Sequence, residues 1–166
     1  MSHCQNLRIG KIGEYLTASS LESLNVKCDI VSQEGFDILA YTNGIIIRVQ
    51  VKSTACPRLN SKKEKRKKYI FLCAKSTKKI ILTEDDCDVI ALVAVDLKKV
   101  LYIPVTSLMG ATHRVLPEDY EDTNLESESW NECLKSIAES SALRNNGRGG
   151  KPKRDRQLSS CDEASD

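Results

Sequence analysis

Asp37, Gln50 and Lys52 interrupt an otherwise aliphatic stretch, GFDILAYTNGIIIRVQVKST, between Gly35 and Thr54. A carboxylate beside an amide or a backbone carbonyl offers hard oxygen donors. These suit a divalent ion such as Mg²⁺, which usually keeps several waters and borrows a substrate phosphate. A neighbouring ammonium can hold or activate an attacking water and stabilise charge developing on phosphorus. An Asp–Lys pair on a sheet face is often just a solvated ion pair, so the elements that carry these residues decide the matter.

Asn43-Gly44 is the strongest short-range hairpin signal a sequence can carry. A two-residue type I′ loop there sets Thr42 opposite Ile45, Tyr41 opposite Ile46 and Ala40 opposite Ile47. Continuing back, Leu39 meets Arg48, Ile38 meets Val49, and Asp37 meets Gln50. Directly opposed Cβ atoms stand roughly 4.5–5.5 Å apart, and Lys52 points the same way as Gln50. The other face carries Ile38, Ala40, Ile45, Ile47, Val49 and Val51 and is expected to cover the core. A one-residue slip would bury the charges, so the register is strongly specified. On the polar face Leu39, Tyr41 and Ile46 fill the turn end while the charges gather at the open end, a division that suggests a cleft.

The chain has 166 residues, 40% of them hydrophobic, enough for one domain with a core. That domain is expected over residues 1–142, with a basic, polar, disordered tail over 143–166. No apolar run nears the ~20 residues of a membrane span. The opening MSHCQNLRIGKIGE has no secretory h-region. Seven cysteines without a Cys-x-x-Cys pair, and only two histidines, argue against structural zinc and for reduced thiols. The expected setting is intracellular: the cytoplasm if the source is a prokaryote or phage, otherwise a nucleus or organelle. Net charge is only +2 but is unevenly placed. From Lys52 to Lys79 the only acid is Glu64. The patch Lys62, Lys63, Lys65, Arg66, Lys67 and Lys68 is a candidate contact for a nucleic-acid backbone.

Helical spacing runs from Asn6 to Leu24, with Ile9, Ile12, Leu16, Ser20 and Leu24 near one stripe. Strands are expected at Val26–Val31, Asp37–Thr42, Ile45–Ser53, Tyr69–Ala74, Val89–Val95 and Val100–Pro104. Ala55–Lys67 reads as a long basic loop, TEDDCD as a turn or short helix capped by Thr83, and Thr106–Met109 as a turn of helix. A second helix is expected at Ser129–Leu143. Tyr69, Cys73 and Cys87 are assigned to the core, and His113 has no role. The fold class is α/β with a central mixed β-sheet flanked by helices.

These residues resemble the PD-(D/E)xK nuclease superfamily, which sets a carboxylate at a strand start and (Glu/Gln)-x-Lys on the next strand. Gly35-Phe36-Asp37 and Gln50-Val51-Lys52 match that pattern, and Gly10-Lys11-Ile12-Gly13-Glu14 looks like its G-x-x-G/A-E helix start. Arg48-Val49-Gln50-Val51-Lys52 is similar to the R-V-Q-V-K strand of the group I intron-encoded homing endonucleases within it. TEDDCDVIALVAVD and VLYIPV resemble the distal strands of that subgroup, so the likeness spans roughly Leu7 to Leu108. Phe36 stands in place of the proline, and Gln50 in place of the usual glutamate.

The resemblance implies a restriction-endonuclease-like core and Mg²⁺- or Mn²⁺-dependent hydrolysis of phosphodiester bonds in double-stranded DNA. It implies Asp37, Gln50, Lys52 and Glu14 as catalytic residues, and Asp37, Gln50, Glu14 and the Val51 carbonyl as metal ligands. Arg48 and Ser53 join the basic patch as DNA contacts, and Glu34 is a helper that turn chemistry explains equally well. A long target would call for a homo-oligomer, a dimer or tetramer. The alternatives are a Holliday-junction resolvase or repair nuclease with the same site, and an inactive nucleic-acid-binding module of the same fold.

Overall fold

The turn at Asn43-Gly44 has φ of 50° and 75°, the left-handed pair that a type I′ loop requires. The computed structural model describes residues 3–31, 35–59, 65–75 and 79–146. In chain order these form α1 (His3–Ser23), β1 (Lys27–Ile30), β2 (Ile38–Thr42), β3 (Ile45–Thr54) and β4 (Tyr69–Leu72). There follow β5 (Ala74–Lys75), β6 (Ile80–Ile81), β7 (Val89–Ala94), β8 (Lys99–Pro104), β9 (Thr112–Val115) and α2 (Leu125–Asn146). Single 3₁₀ turns lie at Val105–Ser107 and Pro117–Tyr120.

The central sheet has the strand order β1-β2-β3-β7-β8. It is mixed: β3 and β7 run parallel and the other neighbours antiparallel. The β2–β3 register is the one the turn dictates, from Thr42↔Ile45 to Ile38↔Val49. β7 reads VIALVA and is buried on both faces, as a continuous apolar run in a parallel pairing should be.

The two faces are covered differently. Ile38, Ala40, Ile47, Val49 and Val51 join Val89, Ala91 and Val93 under both helices, with Leu21 of α1 and Trp130 and Cys133 of α2. On the opposite face Ile90, Leu92 and Ala94 pack with Tyr69, Phe71, Cys73, Cys87 and Tyr120. That second layer is a β4–β9 ribbon with its neighbouring turns, not a helix. At the outer edge of β8 the Val100 N–H donates to Glu126 Oε1 (3.0 Å) and the Tyr102 N–H to Ser129 Oγ (3.2 Å).

Several sequence expectations need correction. Ile12 and Ile45 are exposed, not core. The buried stripe of α1 is Gly13, Thr17, Ser20 and Leu21, one residue along from the aliphatic one. The reason is close approach: a Cβ on Gly13 would lie 1.7 Å from Ser53 Oγ and 2.8 Å from Ser53 Cβ. The helix therefore turns its small and polar side chains inward, and Thr17 satisfies its buried hydroxyl on the Gly13 carbonyl at 2.9 Å. Of the two readings of TEDDCD, a turn or a short helix, the structure has the turn. α2 starts at Leu125 and continues to Asn146, so residues 143–146 belong to a helix and only 147–166 of the expected tail lie outside the described residues.

Gly13→Ala is expected to lower stability by roughly 1–3 kcal/mol through overpacking. Ser53→Gly in the same chain should recover part of the loss, measured by urea unfolding of the two variants.

Candidate functional site

β2 begins at Ile38, so β3 runs on past the end of its partner. The last backbone link is the Asp37 N–H to the Val49 carbonyl, 2.9 Å. Two residues further, the backbone groups of Val51 point to the same side and face no strand. The Asp37 side chain takes the place of the missing strand: its Oδ2 accepts the Val51 N–H at 2.7 Å and also the Gln50 Nε2–H. The same Gln50 amide nitrogen lies 3.4 Å from the Val51 carbonyl. Asp37 Oδ1 has no partner among the described residues.

Asp37 and Gln50 are thus brought together as the hairpin register implies, beside the Val51 carbonyl that the resemblance implies. Lys52 and Glu14 join them electrostatically. Burial raises the Asp37 carboxyl above its ordinary value; the Val51 N–H, Lys52 and Gln50 pull it down, and Glu14 pushes it up. Glu14 follows Gly13, so the tight helix–strand approach that Gly13 permits also brings this second carboxylate to the strand end. Glu14 is held by Lys11 at 2.6 Å.

Lys52 sits beside two buried thiols. Burial pushes Cys73 up to about 11 and Cys87 up to about 12, with the Lys52 charge acting in the opposite sense on each. Both stay neutral thiols at neutral pH, while the Lys52 charge favours the ionised form of Asp37. The oxygens on offer are two carboxylates, a backbone carbonyl and, after rotation of its amide, Gln50. This hard-donor set fits a divalent ion that completes its shell with water. Among the described residues no group of three or more His, Cys, Asp or Glu is placed to hold a metal.

Asp37 is anchored from behind. Phe36 packs against the second core, and Gly35, at φ of 98°, passes so close to the Thr83–Asp88 turn that a Cβ would lie 3.1 Å from the Asp86 carbonyl oxygen. That turn is pinned by Arg48. The Asp88 carboxylate accepts the Arg48 N–H (2.8 Å), Nε–H (3.1 Å) and Nη2–H (2.8 Å). Arg48 also donates to the carbonyls of Asp85 (2.9 Å) and Glu84 (2.6 Å).

Two expected DNA contacts are therefore placed elsewhere. Arg48 is committed to the Thr83–Asp88 turn, and its partner lies 40 residues away in sequence, a pairing that no local pattern signals. Ser53 points at α1 beneath Gly13, with its hydroxyl buried and unpartnered. Lys65, Arg66 and Lys67 are exposed and Lys68 is half-buried at the entry to β4. Lys62, Lys63 and Glu34 lie outside the described residues. The Asp86–Lys75 ion pair beside Gly35 was not anticipated. Its one sequence signal was the acidic run TEDDCD.

No protein-family model matches the chain, and no curated protein matches it. Among solved structures it is similar to one titled as a bacterial homing endonuclease, I-Ssp6803I, at 17% identity and a TM-score of 0.54. The match covers 81% of this chain and 95% of that one. The likeness is one of fold.

Two outcomes are expected. Because burial raises Asp37, the folded protein holds that proton more tightly than the unfolded chain, so stability falls as pH rises above the ordinary value of 3.8. Asp37→Asn, which keeps an oxygen for Val51, should melt a few degrees above wild type at neutral pH in EDTA. The gap should close below pH 3.8, where the acid is neutral in both states. Arg48→Ala should cost about 1.5–3 kcal/mol in urea unfolding, the range for hydrogen bonds to charged groups. It should leave the salt dependence of any DNA binding unchanged.

Proposed function

We propose that the chain is a divalent-metal-dependent endonuclease of double-stranded DNA, site-specific and of the homing type, with a PD-(D/E)xK site of the Gln variant. The observation that carries this is the Asp37 carboxylate docked on Gln50-Val51 with Lys52 and Glu14 around it. The fold likeness to a bacterial homing endonuclease supports it independently.

Mg²⁺ or Mn²⁺, held by Asp37 Oδ1, the Val51 carbonyl, Gln50 and Glu14, would supply charge to polarise a phosphodiester. Lys52 orients the attacking water and stabilises the negative charge that grows on the phosphoryl oxygens. Gln50 turns its amide, giving up its donation to Asp37 and presenting its oxygen. Phe36 stands where the superfamily has proline. It fixes the approach to Asp37 by burial, where proline would do so through a restricted φ. Two strand breaks require two such sites, so a homo-oligomer is part of the proposal.

The test is cleavage of supercoiled plasmids carrying pooled genomic inserts, together with a synthetic four-way junction. It compares Mg²⁺, Mn²⁺ and EDTA. Wild type is expected to give discrete fragments only with metal, and Asp37→Ala or Lys52→Ala to slow cutting by on the order of 100-fold or more. Full activity in either purified variant would sink the site assignment. Cutting of the junction alone would move the function to a resolvase.

A further inference from the structure

Building on the reading of the chain as a duplex-DNA nuclease, we propose that the outward face of the β4–β9 ribbon reads base edges in the DNA major groove. The ribbon pairs Tyr69↔Val115, Ile70↔Arg114, Phe71↔His113 and Leu72↔Thr112. Alternation divides it in two. Tyr69, Phe71 and Val115 are buried in the second core, while Leu72, Thr112 and Arg114 are exposed and Ile70 is half-buried on the other side.

The inner side holds the ribbon rigid. Tyr69 donates to the Asp96 carboxylate at 3.0 Å, and its ring meets Tyr120 edge-on at 5.1 Å. A rigid two-stranded ribbon is one of the few protein elements that the major groove of B-DNA admits.

The outward face has the chemistry for that groove. It carries no carboxylate. Arg114 can fork onto guanine O6 and N7, and Ile70, Leu72 and the Thr112 methyl suit the thymine methyl. One step before β4, Lys68 and Arg58 bridge each other through both backbone links at 2.9 Å, setting two cations beside the ribbon for phosphate contact. The three ion pairs among the described residues engage Lys11, Arg48 and Lys75, so Arg58, Lys68 and Arg114 stay available.

Ile70, Leu72 and Arg58 line one groove with Ser53 and Thr54, the residues directly after Lys52. Cys73, next after Leu72, feels the Lys52 charge. A duplex seated on the ribbon would run past the candidate catalytic strand.

The test uses the full chain carrying Asp37→Asn, in EDTA, on a pool of DNA duplexes with a randomised core, retained and sequenced. A sequence motif is expected. Adding Arg114→Ala, or Arg114→Lys with its charge kept and its fork lost, should erase guanine preference at one or two positions by about ten-fold or more. Arg58→Ala or Lys68→Ala should instead weaken all sequences alike and lower the salt slope by about one ion. Melting curves check that each variant is folded. A motif unchanged by folded Arg114 and Leu72→Ala variants overturns the ribbon proposal and leaves the nuclease reading standing. A uniform loss of affinity, or equal retention of an A-form RNA duplex, whose deep groove admits no ribbon, overturns the ribbon proposal likewise; a retained pool with no motif overturns it together with the site specificity of the nuclease reading. Failure of the parent protein to retain any duplex overturns the nuclease reading itself.

Discussion

The two-residue loop at Asn43-Gly44 sets the register on which everything else depends. Strand side chains alternate with a period of two, so one step of slip would move every residue of β3 to the opposite face. Gln50 and Lys52 would then lie under the helices, and Val49 and Val51 would line the second layer. Held in register, β2 stops two residues short of where Val51 needs a partner. Asp37 fills that gap with its side chain. The same carboxylate thus finishes a sheet and opens a site.

The hairpin and β7 were legible in the sequence because their causes are local. Asn-Gly names its own turn, and VIALVA has no polar residue to expose on either face. What was not legible depends on partners distant in sequence. Ile12 looked like core by periodicity, but backbone approach at Gly13 outweighed aliphatic side chains and rotated α1 toward its small residues. Arg48 was assigned to DNA, but Asp88 is brought to it across the parallel β3–β7 pairing. THRV has a histidine and an arginine among four residues, so nothing marked it as a strand before β4 supplied its edge. In the candidate site, the facing of Asp37 and Gln50 was legible because turn geometry alone relates them, whereas the Val51 carbonyl entered only through the resemblance. Ser53 was misassigned because the face it shares with Val51 was known but its cover was not.

The site also departs from what stability alone would select. An ionisable carboxyl raised by burial, a second carboxylate opposing it, and an ammonium set against neutral thiols are local conflicts. Conflicts of this kind concentrate where a fold is built around a reaction. The cost is offset by rigid backing: Phe36 in the second core, the Arg48–Asp88 clasp, and the close passage of Gly35 past Asp86.

The outer margin of β8 has a different consequence. An unpaired strand edge invites another strand to dock. Here Glu126 and Ser129 take the N–H groups of Val100 and Tyr102, and the next position on that side is Pro104, which has no N–H to give. A helix, two side chains and a proline close this margin to any intruding chain. The opposite margin, β1, is four residues long and bears Lys27 and Asp29, a poor template for sheet growth. Neither margin of the central sheet therefore offers a ready template for a strand of another chain, which sets this sheet apart from the open edges that feed amyloid.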